Sequence, residues 1–377
     1  MSSHEPKLIV GTDSIYKIPE LLTKDGIQRV QVITTAGFMR RGSLTKLFEE
    51  FENENIHVTI FSNVMPDPTI ACVEEAIRMY RKGKCNAIVA IGGGSVIDCA
   101  KVVGARIAKP NMTVDEMSGI LKIRRTLPYI YAVPTTAGTG SEVTAGAVIT
   151  DGDTHYKHTL NDFCLIPKYA ILDPVLTCNL PSSITSVTGI DALTHAVEAY
   201  TNRFASPKAK KSARNAVKMV YENLPIVYKD GKNIKAREKM LLASYYGGVA
   251  ITNAFVGYVH AIAHGIGGLY GITHGQANAI ILPYVLEGYG KCVEKKLAEL
   301  SDVVGIPGNS QSEKTKRFID SLRSMNKMMD IPETIAELNE KDFHTLIDRA
   351  IHEGNPTYPV PMIWDEKQFR QILRCLS

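Results

Sequence analysis

The chain has 377 residues, of which 45% are hydrophobic and 22% charged, with a formal net charge of +4 at neutral pH. These values are typical of a globular protein of two or three domains and exclude disorder as the main state. No window approaches the roughly 20 consecutive apolar residues of a membrane helix, the N-terminus has no apolar secretory region, and the scattered basic residues argue against nucleic-acid or membrane binding.

The first half of the chain alternates short apolar runs with amphipathic stretches. The five runs that we predict as strands are Val30–Thr34, Val58–Ser62, Ala87–Ile91, Tyr129–Val133 and Tyr169–Leu172. The stretches with helical spacing are Gly42–Phe51, Ile70–Arg81 and Val96–Ile107. Such alternation predicts a parallel sheet with helices on its faces. Because the runs are nearly continuous in valine, isoleucine and alanine, we expect the strands to be buried on both faces.

After Pro181 the strand signal fades and helical spacing takes over. The predicted helices are Ser183–Tyr200, Lys208–Tyr228, Ile234–Asn253, His260–Tyr270, Ala277–Tyr289 and Glu294–Val304. From Ser312 the tail continues as short helices, which break at Pro332 and again near Gly354–Pro361. The segment Leu180–Ser183 has the residues of a helix start. We therefore predict an α/β domain over residues 1–181 and an all-helical domain over residues 182–377.

A glycine loop follows the third predicted strand. Gly92, Gly93, Gly94 and Ser95 lie between the run Ala87–Ile91 and a helical stretch. Glycines let a phosphate approach the backbone, and the N–H groups and dipole of the helix N-terminus attract its charge. The loop is neither a G-x-G-x-x-G nor a Walker motif. The residues alone therefore leave two interpretations, a phosphate site or a tightly packed turn.

A second loop, Pro134–Glu142, follows the fourth predicted strand. It contains several hydroxyl groups and small residues at the carboxyl end of a strand, which is where open α/β sheets bind ligands. The alternative is a turn rich in serine and threonine that caps a following helix. Since two such loops at one sheet edge suit a ligand that spans both, they favour a bound nucleotide.

The helical half contains histidines at spacings that suit a metal site. Asp191 and His195 are four residues apart, which places them on one helix face. His260 and His264 repeat this spacing, and His274 follows between Thr273 and Gly275. Neutral imidazoles with one carboxylate suit a divalent first-row metal such as Fe²⁺ or Zn²⁺. The alternative is a set of core histidines that donate to backbone carbonyls.

At these residues the sequence resembles the iron-containing (group III) alcohol dehydrogenases, the family of lactaldehyde reductase and 1,3-propanediol dehydrogenase. The similarity covers nearly the whole chain and is carried by four blocks in the same order and spacing, Gly92–Lys101, Pro134–Thr144, Gly189–Tyr200 and His260–Pro283. The resemblance implies a Rossmann-like parallel-sheet dinucleotide domain followed by a helical metal-binding domain, as in dehydroquinate synthase.

The resemblance also implies roles for individual residues. The four metal ligands of the family, usually for Fe²⁺ and in some members for Zn²⁺, correspond to Asp191, His195, His260 and His274. A histidine that lines the catalytic cleft corresponds to His264. The pyrophosphate loop and its helix correspond to Gly93, Gly94, Ser95 and Asp98. The second cofactor loop corresponds to Thr135, Thr136 and Thr139, and further nucleotide contacts correspond to Asp67 and Lys157.

One position departs from the pattern of many NAD-dependent members of the family. Those members carry an aspartate at the end of the second-strand region, where its charge disfavours a 2′-phosphate. This chain has Thr35 there, followed by two small residues and then by Arg40 and Arg41. Loss of the carboxylate and gain of cations make room for NADP. The expected cofactor is therefore NAD or NADP, with NAD slightly favoured.

The activity that the resemblance implies is a reversible hydride transfer between a small primary alcohol or aldehyde and the nicotinamide. The metal would polarise the substrate oxygen, and His264 would exchange protons or hold the ligands in place. Three alternatives remain. One is a zinc polyol dehydrogenase of the glycerol dehydrogenase type, and another is a metal-dependent hydrolase or lyase acting on a phosphorylated substrate. The last is a nucleotide-binding or scaffold protein without catalysis.

The seven cysteines have no C-x-x-C spacing and an odd count, which favours reduced thiols over a disulfide framework or a cysteine zinc site. The expected compartment is therefore the cytoplasm. By resemblance to the family we expect a homodimer, formed through the N-terminal region Lys7–Tyr16, or a larger homo-oligomer.

Overall fold

The computed structural model describes residues 5–154 and 156–377. The chain divides into two compact units. The first comprises the described residues up to Thr136 together with Gly140–Asn179. The second comprises Leu180–Ser377 together with the short segment Ala137–Thr139. Nothing in the local sequence pattern indicated that this short segment joins the helical unit.

The first unit is built from β-strands and from helices of 4 to 15 residues. Its strands are β1 (Lys7–Val10), β2 (Arg29–Ile33), β3 (His57–Phe61), β4 (Ala87–Gly92), β5 (Gly119–Ile120), β6 (Tyr129–Pro134), β7 (Gly146–Thr150), β8 (Lys157–Asn161) and β9 (Tyr169–Leu172). Its helices are α1 (Ile18–Lys24), α2 (Ala36–Arg40), α3 (Thr45–Asn53), α4 (Ile70–Lys82), α5 (Gly94–Ala108) and α6 (Val114–Met117).

Six of these strands form one parallel sheet in the order β1-β9-β6-β4-β2-β3. Strand β4 shows why the apolar runs are continuous. Its residues Ile88 and Ala90 belong to the core on one face of the sheet, whereas Ala87, Val89 and Ile91 belong to the core on the other. Both faces are covered, so every position of the strand is apolar.

The register of β4 and β6 places both loops at one edge of the sheet. Gly92 lies opposite Pro134, and the backbone N–H of Thr135 donates to the carbonyl oxygen of Gly92 at 2.9 Å. Each strand then leaves the sheet in the same direction because the two strands are parallel. The two loops therefore begin side by side.

A smaller sheet, in the order β5-β8-β7, was not predicted. Strand β7 follows the second loop directly, so the alternative that this loop caps a following helix is wrong. Strand β8 escaped prediction because four of the five residues in Lys157–Asn161 are polar, so the strand carries little apolar signal. The edge strand β1 was missed for a related reason, since two of its four residues are exposed.

The second unit is helical. Its helices are α7 (Ser182–Thr201), α8 (Pro207–Lys229), α9 (Ile234–Ala254), α10 (Tyr258–Tyr270), α11 (His274–Tyr289), α12 (Lys291–Val303), α13 (Gln311–Met328), α14 (Phe343–Gly354) and α15 (Glu366–Leu376). Helix α13 has 18 residues, so the tail is not made only of short helices as expected. Helix α7 packs against α8, α9 and α11, which explains why it is buried on nearly all sides.

The fold class expected from the sequence, a parallel-sheet α/β domain followed by a helical domain, is confirmed. All seven cysteines lie in the described part of the chain and are free thiols. Among the described residues, no single helix has the length and apolar character to cross a membrane. Helices α9 and α10 reach those limits only when taken together, and they are bent by 107°.

Candidate functional site

The four residues expected to bind a metal converge in the second unit. Asp191 and His195 lie one turn apart on α7, His260 lies in the first turn of α10, and His274 begins α11. Their ligand atoms all lie within 4.8 Å of one another. From Asp191 Oδ1, the Nε2 atoms of His274, His260 and His195 are 3.6, 3.9 and 4.0 Å away. A tetrahedral ion with bonds of about 2.1 Å separates its ligand atoms by about 3.4 Å, so this spacing suits one cation.

Burial and charge both favour a cation at this point. The side chains of Asp191 and His260 are each 3% exposed, whereas that of His274 is 33% exposed and forms the open side. Burial opposes ionisation of Asp191, but the three histidines and the Asn278 amide outweigh it, and the pKa of this carboxyl lies below its usual value. Burial is the main reason that the pKa of His260 lies well below its usual value. The site therefore offers an anionic oxygen and neutral imidazoles.

The contacts of Asn278 indicate where the lone pairs of the ligand atoms point. It is fully buried on α11, one turn after His274. Its Nδ2 lies 2.8 Å from Asp191 Oδ1, 3.0 Å from His274 Nε2 and 3.2 Å from His260 Nε2. An amide NH₂ group only donates and has two hydrogens, so the carboxylate oxygen and the two imidazole nitrogens share these hydrogens as acceptors. Converging lone pairs from imidazoles and a carboxylate fit a divalent metal such as Fe²⁺ or Zn²⁺.

A carboxylate behind His260 orients its ring. Glu198 lies on α7 and is 3% exposed. Its Oε2 lies 2.5 Å from His260 Nδ1, and its Oε1 accepts a hydrogen bond of 2.8 Å from the backbone N–H of Val259. Burial raises the pKa of Glu198 to about 7. A ring that donates Nδ1–H to a carboxylate presents Nε2 as a lone pair, which is the usual support of a metal-binding histidine.

The turn before α10 is held by a side chain from the end of α7. Asn202 Nδ2 donates to the carbonyl oxygens of Ala254, Phe255 and Val256 at 2.8–3.1 Å. Phe255 has a φ of 61°, which is unfavourable for a bulky residue and persists only where its surroundings impose it. These contacts fix the start of α10 and so help to set the position of His260.

His264 lies one turn after His260 and belongs to the same wall of the site. Its ring stacks on that of His274, with centroids 5.0 Å apart. Its Nδ1 lies 2.8 Å from Glu353 Oε1 on α14, and the same oxygen accepts a hydrogen bond of 2.7 Å from the hydroxyl of Tyr358. Burial disfavours the charged carboxylate of Glu353, but His264 and Tyr358 outweigh this effect and lower its pKa. His264 is thus held by a carboxylate beside the four ligand atoms.

In the first unit, the glycine loop and the start of the second loop are in close contact. Gly93 is the N-cap of α5, and a Cβ atom added there would come within 3.3 Å of Thr136 Oγ1. A Cβ at Gly92 would lie only 2.4 Å from Val96. Glycines therefore allow β4 to turn directly into α5 and leave the main chain at the helix N-terminus uncovered, which suits a phosphate.

The remaining residues expected to bind the cofactor have the following positions and contacts. Asp67 and Lys157 form an ion pair of 2.8 Å. Thr35 caps α2 by accepting a hydrogen bond from Phe38 N. Thr139 belongs to the second unit, whereas Gly94, Ser95, Asp98, Thr135 and Thr136 belong to the first. Asp98 is half-buried, and its oxygens accept hydrogen bonds from Ser141 Oγ and Val148 N.

Sequence reasoning missed three side chains of the metal site. Glu198 lies three residues after His195, and Asn278 lies four residues after His274. Both spacings place them on the ligand face of their helices, so helical periodicity had the signal to find them. Glu353 lies 89 residues from His264, and no local pattern indicates this contact.

Comparison with known proteins gives one consistent result. The family model described as iron-containing alcohol dehydrogenase matches residues 5–174, and the C-terminal model of the Fe-containing alcohol dehydrogenase family matches residues 185–376. The 1,3-propanediol dehydrogenase of Klebsiella pneumoniae is 34% identical, over 97% of this chain and 95% of the relative. The NADPH-dependent butanol dehydrogenase of Clostridium saccharobutylicum is 33% identical, over 97% and 95%. A crystal structure of 1,3-propanediol oxidoreductase superposes with a TM-score of 0.94, 33% identity and 98% coverage of both chains.

Proposed function

The chain belongs to the family of iron-containing alcohol dehydrogenases, and from this premise we propose that it is a metal-dependent, NAD(P)-linked alcohol dehydrogenase. Its substrate would be a small primary alcohol or the corresponding aldehyde. The observation that carries the proposal is the convergence of Asp191, His195, His260 and His274, whose ligand atoms lie within 4.8 Å of one another. Three imidazoles and one carboxylate suit Fe²⁺, with Zn²⁺ as the second candidate.

The four converging side chains would hold the metal, and this chain's other residues would keep them in place. A bound divalent metal supplies Lewis acidity toward the oxygen of an alcohol or aldehyde. Glu198 holds the tautomer of His260, and the partly exposed His274 marks the side from which a substrate approaches. His264, held by Glu353, would exchange a proton with the substrate oxygen or with a water.

The first unit would bind the dinucleotide. The glycine loop at the start of α5 would receive the pyrophosphate, and the adjoining Thr135 and Thr136 supply hydroxyl groups beside it. A nicotinamide cofactor held there would supply or accept the hydride. The alternative of a hydrolase or lyase has no support in the family assignment, and it would leave the second loop without a role.

The decisive experiment is an anaerobic assay of protein stripped of metal and reloaded with Fe²⁺ or Zn²⁺. Oxidation of NADH or NADPH is followed by the near-ultraviolet absorbance of the reduced nicotinamide, with short aldehydes such as glycolaldehyde as substrates. We expect turnover that requires a metal and is highest with Fe²⁺. Activity with Zn²⁺ and glycerol alone would favour the polyol dehydrogenase. The absence of nicotinamide oxidation with both metals across the aldehyde panel would refute the proposal.

Arg40 and Arg41 are expected to affect NADPH more than NADH. A Cβ atom added at Gly37 would lie 4.0 Å from Arg40 Nη2 and 3.8 Å from Arg41 Nη1, so both guanidinium groups flank the turn after β2. A charge-assisted contact to a 2′-phosphate is worth about a 10- to 100-fold change in affinity. In the double variant Arg40→Gln, Arg41→Gln we expect KM for NADPH to rise by about tenfold or more.

The matched control for this prediction is Arg81→Gln, which removes an exposed cation at the end of α4. In the double variant KM for NADH should change less than about twofold, because NADH lacks the 2′-phosphate. Equal increases in KM for the two nucleotides would show that the arginines do not contact the 2′-phosphate.

The same proposal includes a homodimer or larger homo-oligomer in the cytoplasm. The N-terminal segment Lys7–Tyr16, expected to form the interface, contains β1 at the edge of the large sheet. An edge strand offers unpaired backbone groups to a second chain. Besides the substrate, the cofactor and further copies of this chain, neither nucleic acid nor a membrane is expected as a partner.

A further inference from the structure

Helix α5 carries a buried lysine whose ammonium group makes three hydrogen bonds to other parts of the chain. Lys101 lies seven residues after Gly94 and is completely buried. Its Nζ donates to Thr144 O at 2.9 Å, to Thr144 Oγ1 at 3.1 Å and to Gly146 O at 2.7 Å. An ammonium group has three donors, and all three point at the stretch of chain that ends the second loop. A buried lysine is costly unless it is paired in this way.

Asp98, one turn earlier on α5, contacts the same stretch. Its Oδ1 accepts a hydrogen bond of 2.5 Å from Ser141 Oγ, and its Oδ2 accepts one of 3.0 Å from the backbone N–H of Val148. The carboxylate and the ammonium of Lys101 therefore bind the chain at residues 141, 144, 146 and 148. We call Asp98 and Lys101 the α5 clamp.

A further carboxyl group accompanies the clamp. Glu142, in the same stretch, is 1% exposed. Burial lowers the pKa of Lys101 to about 8, and the nearby Asp98 and Glu142 carboxyls oppose this shift. The lysine accordingly stays protonated at neutral pH. A lysine that makes three hydrogen bonds and has no exposed surface holds Thr144 and Gly146 in fixed positions.

The clamp completes the attachment of the second loop to the first. The beginning of the second loop is fixed by Thr135 N, which donates to Gly92 O, and the side chain of Thr136 lies near Gly93. The clamp fixes its far end at Ser141 and the chain directly after it at Thr144. The first attachment is made to the strand-to-helix turn at Gly92–Gly93, and the second is made to α5, the helix that this turn begins. A loop that is held at both ends loses little conformational entropy when a ligand binds.

We propose that Asp98 and Lys101 are positioning residues for the dinucleotide, and that they set its affinity by holding the end of the second loop on α5, the helix that the glycine loop begins. This inference rests on the proposed function of the first unit. It also changes the role expected for Asp98, since the structure uses both of its oxygens within the protein. In this proposal Asp98 holds the end of the second loop in place and does not contact the cofactor.

The test measures nucleotide and metal binding in the full chain. In Lys101→Met we expect the Kd for NADH or NADPH, from nicotinamide fluorescence, to rise by about tenfold. The Kd for Zn²⁺ should stay within about twofold, because the metal ligands lie in the other unit. In the assay, KM for the nucleotide should rise while kcat at saturation changes little. Lys109→Met, at the C-terminal end of the same helix, is the matched control.

Two milder variants test the same inference if Lys101→Met does not fold. Ser141→Ala removes only the hydroxyl that Asp98 accepts from, and Thr144→Val removes one of the three acceptors of Lys101. Each should raise the nucleotide Kd by about two- to fivefold. An unchanged Kd in folded clamp variants, or an equal loss of Zn²⁺ affinity, would overturn the inference. If the unaltered protein binds neither nucleotide, the proposed function itself fails.

Discussion

His260→Ala should weaken metal binding by at least about 100-fold and reduce turnover by about 1,000-fold or more. Loss of an outer partner of a ligand already costs 10- to 100-fold in affinity, so loss of a ligand costs at least as much. A Lewis acid stabilises the transition state by several kcal/mol, which corresponds to about three orders of magnitude in rate. The measurements are metal content by elemental analysis, the Kd for Zn²⁺ and the rate of NAD(P)H oxidation.

The structure provides a matched control for this prediction. His344 lies on α14, is exposed and pairs only at the surface with Asp348. His344→Ala should retain the metal content and activity of the unaltered protein. Far-ultraviolet circular dichroism would show whether His260→Ala keeps its helices. A folded His260→Ala protein with full metal content would contradict the assignment of His260 as a ligand.

Glu198→Gln should weaken metal binding by about 10- to 100-fold while the fold survives. The glutamate accepts hydrogen bonds at both oxygens, from Val259 N and from His260 Nδ1. Glutamine has one acceptor oxygen, so one of these two donors loses its partner. If the histidine loses it, the Nδ1–H tautomer is no longer held, and Nε2 presents its lone pair to a metal less of the time.

The measurement is the Kd for Zn²⁺ by competition with a chelator, together with activity as a function of metal concentration. Excess metal should restore part of the activity of Glu198→Gln, because the ligand itself is still present. Glu222→Gln, on the exposed side of α8, is the control for loss of a carboxylate in the same unit. Identical metal affinities in Glu198→Gln and Glu222→Gln would show that the carboxylate does not support His260.

The large sheet could be predicted because its strands are buried on both faces. Such strands are continuous apolar runs, as in Ala87–Ile91, and the signal lies within a few neighbouring residues. Strands of the small sheet lack this signal. Strand β8 alternates between half-buried and buried positions and contains a lysine, a histidine and an asparagine, so its pairing with β7 becomes visible only in the tertiary structure.

The same distinction applies to the candidate site. Helical spacing predicted that Asp191 and His195 share a face, since residues four apart lie one turn above each other. Spacing of this kind relates only residues on one helix. It did not predict that α7, α10 and α11 meet, or that Glu353 contacts His264 from a helix far along the chain. These contacts depend on packing between helices, which local periodicity does not encode.

The amino-acid sequence by itself determined the order of the two domains, the main strands and helices, the two loops at one sheet edge and the residue types of the metal site. These features follow from hydrophobic periodicity and from chemistry carried by residues close together in the chain. Only the tertiary structure decided which donor atoms converge, which carboxylates stand behind His260 and His264, and that Asp98 and Lys101 hold a loop 43–50 residues further along. Those arrangements join residues far apart in sequence, so their positions depend on how whole elements pack.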